Sequence, residues 1–319
     1  MLLLLRDLNG DATIPELPLL KPWYRLVQRD DRVLLEHARA VVVFEGGAAR
    51  AFLPALLSLL DGSRTVDQIC ALIGPNVRLA VENALELLAR NGLLTPGPRL
   101  DETDDRRRTA ESLASQAASD VETAEIATRL ATTPVELIGD EAPLDELARL
   151  LHRSGVSGVG RCAAPGGLVV VGPGGDPAQR NLALLERGGH WLPYGEFDGG
   201  AVIVGPLIVP RESACFECFL LRRESTSGCA EELSLFRYVT AAAASRPTLL
   251  AAAAAVAAEL VVRWIGTRDP SLPGTLFTVE AGPGISISAH TVLRVPRCPA
   301  CSPTAGLAPP SPWHEARIA

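Results

Sequence analysis

The sequence has almost no lysine. Lys21 is the only one, and the other 29 of its 30 basic residues are arginine. Phosphate contacts, Schiff bases and general-base chemistry that need an ammonium have no lysine to use beyond residue 21. Aromatic residues are scarce as well, at 4%, so the core must rest on Leu, Val and Ala. There is no G-x-S-x-G or comparable nucleophile motif and no H-x-x-x-H pair. His152, His190 and His290 fall in separate stretches without an evident carboxylate partner. The apolar run at residues 1–5 is too short for a signal-peptide core, and Asp7 and Asp11 follow it closely. The longest apolar run, 249–265, is mostly alanine and is interrupted by Glu259 and Arg263, whereas a membrane span needs about 20 strongly apolar residues. Positive charge is not in excess either: the net charge of −7 argues against general nucleic-acid binding. These absences lead us to expect a cytoplasmic protein with neither membrane nor nucleic acid as a partner.

What is present is a chain of 319 residues, enough for two domains, with 47% hydrophobic and 21% charged residues, a globular composition. Seven cysteines, an odd number, fit a reducing compartment. Four of them form two Cys-x-x-Cys pairs, Cys215/Cys218 and Cys298/Cys301, with 79 residues between the pairs. A two-residue spacer lets both sulfurs of a pair turn onto one ion, and four thiolates close a tetrahedral Zn²⁺ site with no open position for water. Pro296, Pro299 and Pro303 favour tight turns around the second pair. The pattern predicts a structural zinc clamp rather than a catalytic metal. Disulfides are the alternative, and nothing else in the sequence looks secreted. Cys70, Cys162 and Cys229 read as packing residues.

Along the chain, residues 23–28, 33–36 and 40–44 read as three antiparallel strands, the last (Val41, Val42, Val43, Phe44) strongly β-prone. Helices follow at 51–60, 65–72 and 76–90, the last with an apolar face that includes Val81, Leu85 and Leu88. Three strands and three short helices make a winged-helix-like module. Its charges balance: residues 1–100 hold ten arginines and Lys21 against six aspartates and five glutamates, so the basic face of a DNA binder is missing. A Pro/Gly and mixed-charge stretch at 96–108 reads as a connector, and 109–130 as one helix. From residue 134 onward, strands at 135–138, 168–171 and 201–204 alternate with helices at 143–151 and 176–186, suggesting a parallel α/β sheet. Strands at 276–279, 285–287 and 292–295 then lead into the second cysteine pair. The alanine-rich helix at 248–265 has small side chains on all faces, suited to close packing in the core or between two copies, so a homodimer stays open.

An α/β domain invites a nucleotide, but neither strand-to-helix turn suits phosphate. The turn at 138–143 has one glycine beside Asp140 and Glu141, and the turn at 171–176 lacks the G-x-G-x-x-G spacing and a following lysine. ATP is therefore not expected.

In combination these features resemble the ThiF-like (ocin-ThiF) leader-binding partners of YcaO cyclodehydratases, which serve azoline-forming biosynthesis of ribosomally made, post-translationally modified peptides of the thiopeptide and bacteriocin kind. Three parts carry the resemblance. The stretch from Leu59 through Val66 reads LLDGSRTV, a turn typical of the family's recognition module. The run Gly205-Pro206-Leu207-Ile208-Val209-Pro210 before Cys215 and Cys218, with Arg222 and Arg223 after them, resembles the family's zinc knuckle. Cys298 and Cys301 supply its second half. The resemblance implies a leader-peptide recognition module at 1–95, a linker and helix at 96–133, and at 134–319 a degenerate Rossmann-like domain akin to ThiF and ubiquitin-activating enzymes, α/β in class. It implies no catalytic residue in this chain. It implies a separate YcaO cyclodehydratase, since the chain ends soon after the second cysteine pair, and a precursor leader that adds as a strand beside Val41, Val42, Val43 and Phe44, with Arg78, Glu82 and Glu86 at the rim. The competing functions are an ATP-dependent adenylating enzyme and a zinc-stabilised winged-helix DNA regulator.

Overall fold

The computed structural model describes residues 13–29, 32–38, 40–74, 76–99, 105–116, 121–162, 165–235 and 246–302. Two units emerge, Met1–Ala124 and Glu125–Ala319.

The first unit runs β1 (Pro18–Leu20), β2 (Arg25–Arg29), β3 (Arg32–His37), β4 (Ala40–Glu45), α1 (Gly47–Ala51), α2 (Leu53–Leu59), α3 (Val66–Ile73), α4 (Arg78–Arg90), β5 (Leu94–Pro96) and α5 (Asp105–Gln116). Strands β2, β3 and β4 form an antiparallel sheet in that order, leaving β4 at an edge. Alternation sets the two faces. Leu35, opposite Val42, and Val33, opposite Phe44, are buried in the core with Leu56, Ile69, Val81, Leu85 and Leu88. Val41 and Val43 therefore point the other way and are 54% and 44% exposed.

The helix predicted at 51–60 is α2, and a separate short helix, α1, precedes it. Pro54 lies in the first turn of α2 and has no N–H to continue a helix from α1. Helix α3 starts on a capping box in which Thr65 and Gln68 satisfy each other's backbone N–H. Sequence reading missed the β1–β5 pair, whose three-residue strands each contain a proline. It ties the two ends of this module together beside the Asp61-Gly62 turn. Gly62 (φ 75°) must be glycine: a Cβ there would lie 2.9 Å from the Cα of Gly97.

The second unit contains α6 (Thr123–Thr132), β6 (Val135–Ile138), α7 (Glu141–Arg153), β7 (Val159–Gly160), β8 (Leu168–Val171), α8 (Pro177–Arg187), β9 (Trp191–Phe197), β10 (Ala201–Val204), α9 (Phe216–Ser225), α10 (Ala230–Leu235), α11 (Pro247–Thr267), β11 (Thr275–Ala281) and β12 (Ile285–Thr291). The helix expected at 109–130 is thus split: α5 lies within the first unit and α6 almost wholly within the second.

The seven-stranded sheet has the order β12-β11-β10-β9-β8-β6-β7. It is mixed, not parallel as expected. Strands β7, β6, β8 and β9 are parallel, while β9 to β12 pair antiparallel. The reversal comes from β9, which the sequence hides because Pro193 and Gly195 break its strand pattern. A tight Asp198-Gly199-Gly200 turn then returns the chain, with the Asp198 carboxylate accepting the N–H groups of Gly200 and Ala201, each at 3.0 Å. The strand expected at 292–295 is instead a loop. Helix α11 has the length and hydropathy of a membrane span, but 61% of its apolar window is buried, packed on α7 and on β9, β10 and β11. It is the central core helix of this unit.

Candidate metal centre and peptide-facing edge

Both Cys-x-x-Cys pairs meet on one side of the mixed sheet. Cys215 precedes α9 in extended conformation and Cys218 lies in its first turn, where the helix N-terminus favours a thiolate. Cys298 and Cys301 come from the loop after β12, where Cys298 N–H donates to the Val295 carbonyl and Ser302 N–H to that of Cys298. Arg222 fastens this loop to α9, its guanidinium donating to the carbonyls of Leu293 (2.6 Å) and Arg294 (3.0 Å). Arg294 in turn reaches the carbonyls of Arg211 (2.6 Å) and Cys301 (3.3 Å).

The four sulfurs all lie within 4.8 Å of one another, and Cys215, Cys218 and Cys298 are buried. The separations are 3.8 Å for Cys215–Cys218, 3.7 Å for Cys215–Cys298 and 3.5 Å for Cys218–Cys301. Disulfide sulfurs stand about 2.05 Å apart, so these are not disulfides. Sulfurs about 2.3 Å from a central tetrahedral ion are about 3.8 Å from each other, which the cluster matches. These residues fit a metal ion bound by four thiolates.

Crowding sets the electrostatics. The Cys215 thiol donating to the Cys218 sulfur lowers the pKa of Cys218, helped by the Val295 N–H at 3.4 Å. The same contact, followed by burial, pushes Cys215 up. Burial raises Cys298 to about 11. Cys70 is buried as expected, but Cys162 and Cys229 are exposed in loops and do no packing.

The crevice at the carboxyl ends of β6, β8 and β9 is where open α/β sheets bind ligands. Here the chain's own carboxylates occupy it. Gly174 N–H donates to Glu196 Oε1 at 3.1 Å, and a side chain on Gly174 would strike the Asp140 carboxylate at 2.3 Å. Arg161 is turned onto the Gly139 carbonyl at 2.7 Å.

In the first unit, Val42 and Phe44 pack on the core and Val41 and Val43 do not, a choice the sequence left open. Arg78, Glu82 and Glu86 lie together along α4. Arg78 bonds Asp67 of α3 and Glu82 (3.0 Å), and Glu86 bonds Arg90 (3.0 Å). Exposed Leu72, Leu79 and Leu87 on α3 and α4 were not anticipated. Among the residues in the LLDGSRTV turn, Asp61 is held down to about 2 because Ser63 donates to it from side chain and backbone, with Arg64 adding a third bond. Among the described residues, His152, His190 and His290 make separate contacts and share no cluster.

No known family matches the sequence, and no curated protein does. Solved structures do. A heterocyclase in complex with substrate and cofactor is 22% identical, with a TM-score of 0.68 over 90% of this chain and 40% of that one. The heterocyclase TruD is 23% identical, with a TM-score of 0.70 over 92% and 44%. The microcin C7 biosynthetic enzyme MccB of E. coli, solved with N-formylated MccA, is 14% identical, with a TM-score of 0.60 over 89% and 99%. The chain thus spans less than half the length of the two heterocyclases and nearly all of MccB. At these identities the likeness is one of fold: over most of its length this chain is similar in α/β fold to TruD and MccB.

Proposed function

We propose that this protein binds the leader of a ribosomal precursor peptide and presents it to a separate YcaO cyclodehydratase, which forms azolines from Cys, Ser or Thr. The first unit serves as the winged-helix-like recognition module. The leader adds as a strand beside β4 and lies along α4, with Arg78, Glu82 and Glu86 at its rim. The second unit is a degenerate ThiF-like scaffold clamped by structural zinc on Cys215, Cys218, Cys298 and Cys301, and it docks the cyclodehydratase. The observation that carries the reading is the edge position of β4, which pairs only with β3 among the described residues. An edge strand can accept an incoming strand through its outer backbone groups, and Val41 and Val43 stand outward there. The fold shared with a heterocyclase and with a microcin biosynthetic enzyme solved with N-formylated MccA supports it. The carboxylates of Asp140 and Glu196 speak against adenylation, because they put negative charge where a triphosphate would lie.

The test is a titration of the full chain with a fluorescent leader peptide and, separately, duplex DNA and ATP. Saturable peptide binding without DNA binding or ATP–pyrophosphate exchange supports the proposal. Leader binding that survives Val41→Lys/Val43→Lys would remove the β4 edge from it, and pyrophosphate exchange by the purified chain would replace it with the adenylating reading.

A further inference from the structure

Helix α8 sends one polar side chain into the interior. Asn181 is 3% exposed, and burying an amide is unfavourable unless both of its ends find partners. Both ends go to the same place. Its Oδ1 accepts the Phe216 N–H at 3.1 Å, and its Nδ2 points a hydrogen at Cys215 Sγ at 3.9 Å. Phe216 is the first residue of α9, and Cys215 before it makes no capping bond with its own side chain. Asn181 therefore caps α9 from another helix, satisfying a backbone N–H that the local sequence leaves without a side-chain cap.

The second contact bears on charge. Four thiolates around a divalent ion carry two net negative charges, and Cys215 is only 1% exposed, so water cannot solvate that sulfur. N–H donors to ligating groups orient them and tune the centre. Cys218 has such a donor in the Val295 backbone, and Asn181 is the corresponding donor for Cys215.

We propose that Asn181 is a positioning residue of the metal centre. Its amide fixes the Cys215 sulfur and stabilises its thiolate, and this ties α8 to the cysteine clamp. The inference rests on the reading of the four cysteines as a metal site. It also reaches beyond the clamp. Helix α8 is capped by Asp176, directly after the glycine turn whose Gly174 N–H holds Glu196, and Arg180, one residue before Asn181, donates to the Gly175 carbonyl at 2.6 Å. The centre and the carboxylate-filled crevice are thus braced by one helix.

The test uses the full chain loaded with Co²⁺ or Zn²⁺ and reads metal content, the rate of release to a chelator and the sulfur-to-cobalt charge-transfer band. Asn181→Asp keeps the acceptor for the Phe216 N–H but replaces the donor with a negative charge beside the thiolate. Asn181→Leu removes both contacts in a similar volume. Metal release about 10- to 100-fold faster in Asn181→Asp, with a shifted charge-transfer band and an unchanged far-ultraviolet spectrum, is expected. A wild-type release rate and band in Asn181→Asp would overturn the inference. So would Asn181→Leu destabilising the metal-free chain as much as the loaded one, because the role would then be packing alone. A wild-type chain that takes up neither ion sinks the clamp itself, an outcome separate from indifferent variants in a loaded protein.

Discussion

Replacing Cys298 by serine removes a fully buried sulfur from the centre of the four-cysteine cluster. The expected loss can be worked from the topology. The two pairs have 79 residues between them, so an ion on all four sulfurs acts as a cross-link closing a long loop. By the chain-entropy relation, closing a loop of that length removes about 4–5 kcal/mol of freedom from the unfolded chain. Binding a structural zinc contributes about 10 kcal/mol or more in all. A serine variant that loses the ion loses at least the cross-link part with it, about 4 kcal/mol. For a unit of this size each kcal/mol moves the melting midpoint by about 2–4 °C, which predicts a fall of about 8–16 °C for the second unit. The assay is calorimetry of the full chain with parallel metal analysis, expecting one zinc per wild-type chain. A variant that loses its metal but melts at the wild-type temperature would refute a structural role. A variant that keeps both fold and metal yet loses one chemical step would point to catalysis instead.

Other expectations follow from the first unit and the crevice. Val41→Lys/Val43→Lys should leave the melting curve nearly unchanged, since both side chains are exposed, while weakening leader binding at least about tenfold if the strand docks on β4. Arg78→Glu should weaken binding by less, because the contact Arg78 offers the leader is an exposed ion pair screened by solvent. Leu85→Ala, in the core of the module, should cost about 2–5 kcal/mol by denaturant titration. Asp61 has a depressed pKa, so its stabilising contribution is present above the ordinary carboxylate range near 3.8 and is lost as pH falls towards about 2. Asp61→Asn should therefore flatten the acid limb of the stability profile between those values, by under about 1 kcal/mol because the side chain is half exposed. Glu196→Gln should leave ATP binding undetectable by calorimetry, since Asp140 still lies against Gly174.

The sequence by itself determined what depends on spacing and local chemistry. The two Cys-x-x-Cys pairs state their own geometry, and the cluster of four sulfurs follows from it. Strand β4 announces itself through a β-branched run and helix α4 through a period of 3.6. Asp140 and Glu141, beside the single glycine of the first strand-to-helix turn, are likewise legible in the sequence. Only the tertiary structure could decide the rest, because it depends on partners distant along the chain. Strand β9 carries Pro193 and Gly195 and becomes a strand only because β8 and β10 flank it, and its position turns a parallel sheet into a mixed one. Which face of β4 is buried could not be read from Val41-Val42-Val43-Phe44, where every residue is apolar; the pairing of Leu35 with Val42 settled it. Asn181 looked like any polar helical residue until folding laid α8 against Cys215. Its amide then met a sulfur 34 residues away, a contact that no local pattern encodes.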